Sequence, residues 1–194
     1  MRKETRIIAE IAILVGLAVV LDLLAGLFSP FKQGGSISPA MLPIFIIAFR
    51  HGWKKGMFAG FIFALLQMVL GLSEIIGWIY DPTPFKIWFV VFFDYIIPFT
   101  LLGVAGFFKE PFKKPWSFIL GISLGVFIRY ICHGLSGVVV WGNFAADWGI
   151  GNVWVYSFVF YNLPYMASSF ALCLLIGLSV YKRGVWDYRL NTIK

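Results

Sequence analysis

The chain has 194 residues, of which 60% are hydrophobic and only 13% charged, with a mean hydropathy of +0.88, whereas a soluble domain carries roughly 25% charged residues. This excludes a water-soluble globular domain. The formal charge of +7 does not point to nucleic acid, because the basic residues fall in short clusters beside apolar runs, where they act as topology signals and as contacts for the lipid bilayer.

Long apolar runs broken by short Gly, Pro and charge clusters predict helices crossing a ~30 Å hydrocarbon core. The expected architecture is an all-α integral membrane protein, a six-transmembrane-helix bundle forming one membrane domain over residues 1–194. The first span, Ile7–Leu27, follows a basic N-terminal stretch and imitates a signal peptide, but it is longer than an h-region and reads as an uncleaved span. The second, Ser38–Phe49, is short, contains Pro39 and Pro43 and follows Gly34-Gly35-Ser36, which suits a tilted or broken helix packed inside the bundle. The others are Lys55–Leu72, Phe85–Phe108, Ser117–Val140 and Val153–Tyr181. Cys132 and Cys173 lie inside spans far apart in sequence and indicate neither a disulfide framework nor a metal knuckle.

Lys and Arg set the orientation. Arg2, Lys3, Arg6, Arg50, Lys54, Lys55, Lys109, Lys113, Lys114, Lys182, Arg183, Arg189 and Lys194 fall on one side, and only Lys32 and Lys86 on the other. Both termini are therefore expected to be cytoplasmic, in a cell (plasma) membrane. Trp78, Tyr80, Trp141 and Trp148 lie in the segments left outside, where an interfacial aromatic belt is the plain expectation.

Polar side chains inside spans are costly and mark functional sites by default. At 1.5 Å per residue, Asp22, Gln67, Asp94, His133 and Asn162 all sit roughly 8–14 Å below the outer ends of five different spans. Their shared depth suggests one cavity opening outward. Asp22 also suits a snorkelling role, and Gln67 suits interhelical glue. Asp94 needs a partner or a wet pocket at its depth. Arg129, one helical turn before His133, supplies a competing reading as the neutraliser of Asp94. Pro164 frees backbone carbonyls beside Asn162. Tyr95, Trp141, Tyr156, Tyr161 and Tyr165 surround the cluster; a carboxylate among aromatic faces suits a flat, cationic, heteroaromatic ligand. In the first span, Ala12 and Gly16 form a small-x-x-x-small pair open to another helix. No Walker A loop is present.

Several stretches together resemble the thiamine-specific substrate-binding (S) components of energy-coupling factor transporters. They are Gln33-Gly34-Gly35-Ser36-Ile37-Ser38, Met41-Leu42-Pro43-Ile44, Phe49-Arg50-His51-Gly52 with Lys55-Gly56, Asp94-Tyr95, Arg129-Tyr130 with His133, Ser136-Gly137, Tyr156-Ser157, Tyr161-Asn162 and Tyr165-Met166. The resemblance covers most of the chain. It implies a bacterial, non-enzymatic subunit without cofactor that captures thiamine from outside. It further implies association with a transmembrane coupling protein and two ATPase subunits. It assigns ligand contacts to Asp94, Tyr95, His133, Trp141, Tyr156 and Asn162, and the partner-binding face to Ala12 and Gly16.

The chain departs from the family pattern in three ways. Asp94 stands where a member of the family has Glu, and the first outer loop offers Phe28 and Phe31 where that member has a tryptophan. The Tyr156-to-Asn162 spacing is one residue longer, which leaves Ser157 and Tyr161 as alternatives to Tyr156. Rival readings are an S component for a thiamine precursor or another vitamin, a self-sufficient small transporter, and a membrane-embedded enzyme pairing His133 with Asp94. The last lacks a nucleophile or metal-ligand motif.

Overall fold

The computed structural model describes residues 3–31, 35–109 and 115–181. Gln33 and Gly34, and the basic residues Arg2, Lys32, Lys113, Lys114, Lys182, Arg183, Arg189 and Lys194, on which part of the sequence reading rests, lie outside them. The described residues form helices and connections, with no strand among them.

Among the described residues, five helices are long and apolar enough to cross a membrane: α1 (Lys3–Leu27), α3 (Trp53–Trp78), α4 (Pro84–Phe108), α5 (Pro115–Val139) and α6, which starts at Val155 and runs to Tyr181. Their outward faces are apolar, as Ile13 (71% exposed), Leu27 (77%) and Val69 (83%) illustrate; such surface is stable against lipid, not water.

Between α1 and α3 lies α2 (Met41–His51). It begins three residues after the expected start and is only 11 residues long, reaching roughly 16 Å, about half the hydrocarbon core. A helix apolar on all sides must be buried on all sides, and Met41, Ile44, Phe45, Ile47 and Ala48 are each at most 1% exposed. The non-helical segment 35–40 covers the remaining depth. Its backbone needs partners there, and α6 supplies them: Ser38 N–H donates to Ser169 Oγ (3.0 Å), whose hydroxyl donates to the Ser36 carbonyl (3.1 Å).

α3 meets α4 backbone to backbone, as small residues allow in membranes. A Cβ on Gly60 would lie 2.2 Å from the Phe99 carbonyl oxygen, and one on Gly103 would lie 2.0 Å from Met57 N. The lower part of α4 tightens to a 3-10 helix over Leu101–Phe108, which sets Gly103 and Gly106 one turn apart on that contact.

The upper part of α4 does the opposite. Pro98 has no N–H, and its ring crowds the carbonyl four residues back. The helix before it widens to π-type turns over Val91–Ile96, with Ile97 N–H donating to the Phe92 carbonyl. α6 repeats the device, with π-type turns over Val155–Asn162 ahead of Pro164.

One end of the bundle is basic. Glu10 of α1 pairs there with Arg50 (2.5 Å) and His51 (3.1 Å) of α2, and Lys109 Nζ donates to the Arg50 carbonyl (2.8 Å). At the opposite end Lys86 caps the Tyr80 carbonyl at 2.8 Å.

Two further expectations need correction. α3 continues to Trp78 instead of ending at Leu72, because the run from Ser73 to Gly77 contains no proline and still carries Ile75 and Ile76. The segment between Trp141 and Asn152 contains a one-turn helix, Phe144–Asp147.

Candidate functional site

A cavity of about 500 Å³ opens between α1, the segment after it, α3, α4, α5 and α6, in the half of the bundle away from the basic end. All six expected ligand-contact residues line it: Asp94, Tyr95, His133, Trp141, Tyr156 and Asn162. Asp22, Gln67 and Arg129 line it too.

Asp94 is the hub. The π-type turns of α4 carry it, a feature frequent at functional sites. Its Oδ1 lies 3.1 Å from His133 Nδ1, and its Oδ2 accepts from Ser136 Oγ (2.6 Å) and Trp141 Nε1 (3.3 Å). A carboxylate offers about four acceptor positions, so three bonds leave room for one more donor. Arg129 does not consume it. Its Nε donates to His133 Nε2 at 3.2 Å, so the guanidinium reaches the carboxylate through the imidazole. The two sequence readings of Asp94, as site residue and as neutralised partner, are therefore compatible.

The wall from α6 brings Tyr156 and its two alternatives together. In π-type turns, closed by i→i+5 bonds, residues five apart share a face. Tyr156, Ser157, Tyr161 and Asn162 are accordingly all buried and all line the cavity. Asn162 is held on both ends of its amide: Nδ2 donates to the Ser157 carbonyl (2.9 Å), and Oδ1 accepts from Tyr165 OH (2.6 Å). Gly137 makes this approach possible, since a Cβ there would sit 2.0 Å from Ser157 Oγ.

The α1 and α3 wall is acidic. Gln67 Nε2 donates to Asp22 Oδ2, and Ser36 Oγ donates to Asp22 Oδ1 at 3.3 Å. Gln67 is thus both glue between α1 and α3 and a lining residue. Glu74 and Trp78 also line the cavity; sequence reasoning missed the first and assigned the second to the aromatic belt, because it ended α3 too early. Among the described lining residues, three carboxylates (Asp22, Glu74, Asp94) against one guanidinium (Arg129) leave a formal excess of two negative charges.

Aromatic rings complete the enclosure. Phe31 stands edge-on to Tyr161 (5.7 Å) and Tyr165 (5.4 Å), while Phe28 is 85% exposed; of the two loop phenylalanines, Phe31 reaches the site. Trp148, expected in the belt, packs on Tyr156 (5.6 Å) and Tyr161 (6.0 Å). Ala12 and Gly16 lie elsewhere, on the exposed side of α1, and are not brought to the cavity.

The comparisons with known proteins concern the family and the fold. The thiamine transporter protein family (Thia_YuaJ) matches residues 8–184. The chain is 34% identical over 178 residues to the thiamine transporter ThiT of Bacillus subtilis (strain 168), covering 86% of this chain and 85% of that protein. It is 28% identical over 190 residues to the thiamine transporter ThiT of Lacticaseibacillus paracasei, covering 90% and 87%. ThiT from Listeria monocytogenes shares the fold, with a TM-score of 0.75 over 96% of this chain and 100% of that one, at 22% identity. These relatives are bacterial and named as transporters, not enzymes. With a match that runs from the first helix to beyond the last, the chain belongs to the thiamine transporter family of multi-pass membrane proteins.

Proposed function

We propose that the cavity captures thiamine from the outer side of the membrane, and that the protein passes it inward as the substrate-binding subunit of an energy-coupling factor transporter. One observation carries the ligand assignment: Asp94 retains an open acceptor position while aromatic rings enclose it and the described lining has an excess of negative charge. Thiamine offers matching groups, an aminopyrimidine that donates hydrogen bonds and a flat thiazolium cation.

In this reading the aminopyrimidine bonds to Asp94 and Asn162, whose amide is already oriented by Ser157 and Tyr165. The thiazolium stacks beside His133 and Trp141, close to the carboxylate to which the indole donates. Tyr95 and Tyr156 form side walls, and Phe31 covers the pocket as part of the first outer loop. The outward orientation rests on the clustering of Lys and Arg at the opposite end. Coupling to a transmembrane partner through the Ala12/Gly16 face, and to two ATPases, is supported by the resemblance and by the exposure of that face.

Calorimetric titration of the purified protein with thiamine, its pyrimidine moiety and riboflavin tests the ligand. Tight binding of thiamine alone is expected; preference for the pyrimidine or for riboflavin would overturn the assignment. Asp94→Ala removes the open acceptor and leaves the donors of His133, Ser136 and Trp141 unpaired. It should cost about 3 kcal/mol or more, over a hundredfold in Kd. Uptake into liposomes holding this protein alone would overturn the coupled mechanism while leaving the ligand assignment intact.

A further inference from the structure

We propose that Arg129 is a positioning residue, which fixes the tautomer of His133 and thereby presents Asp94 to the ligand as an oriented acceptor. The geometry is a chain of three groups on two helices. Arg129 and His133 are four residues apart on α5, hence on one face, and Asp94 faces them from α4. A guanidinium carries five N–H donors and no acceptor. Its Nε lies 3.2 Å from His133 Nε2, so that nitrogen accepts and the imidazole proton sits on Nδ1. There it points at Asp94 Oδ1, 3.1 Å away, and donates to it.

The surroundings keep this order in place. The Arg129 guanidinium stacks on the Phe99 ring at 4.7 Å, in a cation–π contact that restrains a long side chain. The imidazole stands edge-on between Phe99 and Tyr165, each with its centroid 6.4 Å away. Ser136 and Trp141 donate to the other carboxylate oxygen.

The imidazole therefore acts as a spacer. A direct Arg129–Asp94 ion pair would place the fork of the guanidinium on the carboxylate and consume the acceptor that a ligand needs. Routing the positive charge through His133 keeps balancing charge nearby and leaves the ligand side of Asp94 open. With the opposite tautomer, an Nδ1 lone pair would face a carboxylate, the ring would turn away, and the carboxylate would lose its orientation.

The effect on ligand binding rests on the thiamine reading given above; the tautomer does not. The test records long-range proton–nitrogen correlations of the full chain, labelled with nitrogen-15 histidine, in nanodiscs without ligand. His51→Gln assigns the other histidine. The expected spectrum shows His133 protonated on Nδ1 with a lone pair on Nε2. Arg129→Met should release the ring into a mixture of tautomers and weaken thiamine binding about ten- to a hundredfold, the scale of one hydrogen bond to a charged group. Arg129→Lys retains a cationic donor, so it should keep the tautomer and restore most of the affinity.

A wild-type ring protonated on Nε2 overturns the proposal, and so does an unchanged tautomer in Arg129→Met. If Arg129→Met does not fold, the wild-type and Arg129→Lys spectra still decide. A correct tautomer in a protein that ignores thiamine sinks the ligand reading alone, whereas tight thiamine binding with the wrong tautomer sinks the positioning role alone.

Discussion

Asp94 gathers the functional argument into one side chain: a carboxylate at membrane depth, oriented by three donors and with acceptor capacity to spare. Its acidic companions act differently. Glu74 sits at the exposed rim of the cavity, so its charge works through the field in solution and is screened by salt. Glu74→Gln is expected to slow thiamine association several-fold at low ionic strength, with the difference shrinking at high salt, as stopped-flow fluorescence would show. Asp94, His133 and Asn162 were legible from sequence because an ionisable or amide group inside an apolar run has few explanations. Glu74 was not, since an acid near a helix end looks like ordinary surface until the helix is known to continue past it. Phe31 and Phe28 look alike in sequence, and only the path of the loop separates them.

The helices owe their roles to departures from regularity. The π-type turns ahead of Pro98 and Pro164 place Asp94 and the Tyr156–Asn162 set on the cavity wall. In the sequence Pro164 marks a helix opening beside Asn162, and Pro98, four residues after Asp94, carries the same signal. The 3-10 stretch and its glycines fasten α4 to α3. Gly103→Leu would drive a side chain into the Met57 backbone and should destabilise the fold by about 3 kcal/mol or more, seen as a fall in thermal midpoint in detergent. Ser169→Ala should cost about 1–3 kcal/mol by stranding the Ser38 N–H, whereas Ser169→Thr keeps the hydroxyl and should lose less; the same thermal assay compares them. The shortness of α2 was visible in its composition, but not how the chain above it is satisfied, because Ser169 lies 131 residues from Ser38.

The bundle has a basic end and a cavity end, and the distribution of Lys and Arg is the ground for the proposal that the first faces the cytoplasm. Cysteine labelling tests this directly. Cys132 and Cys173 are buried and can be replaced, after which a cysteine at Asp81 should react with an impermeant maleimide on intact cells and one at Lys54 only after permeabilisation. The reverse pattern would invert the proposed direction of capture. A last consequence follows from α2, a half-length helix buried on every side. Such a segment has too little apolar length to settle in a bilayer by itself. During synthesis it must wait for company, and the serine that anchors the non-helical segment leading into it arrives only with α6. The side of the cavity nearest α1 is thus completed only once α6 has been made as far as Ser169, so that a chain cut between Asn162 and Ser169 should fail to capture ligand even though all six contact residues have already been made.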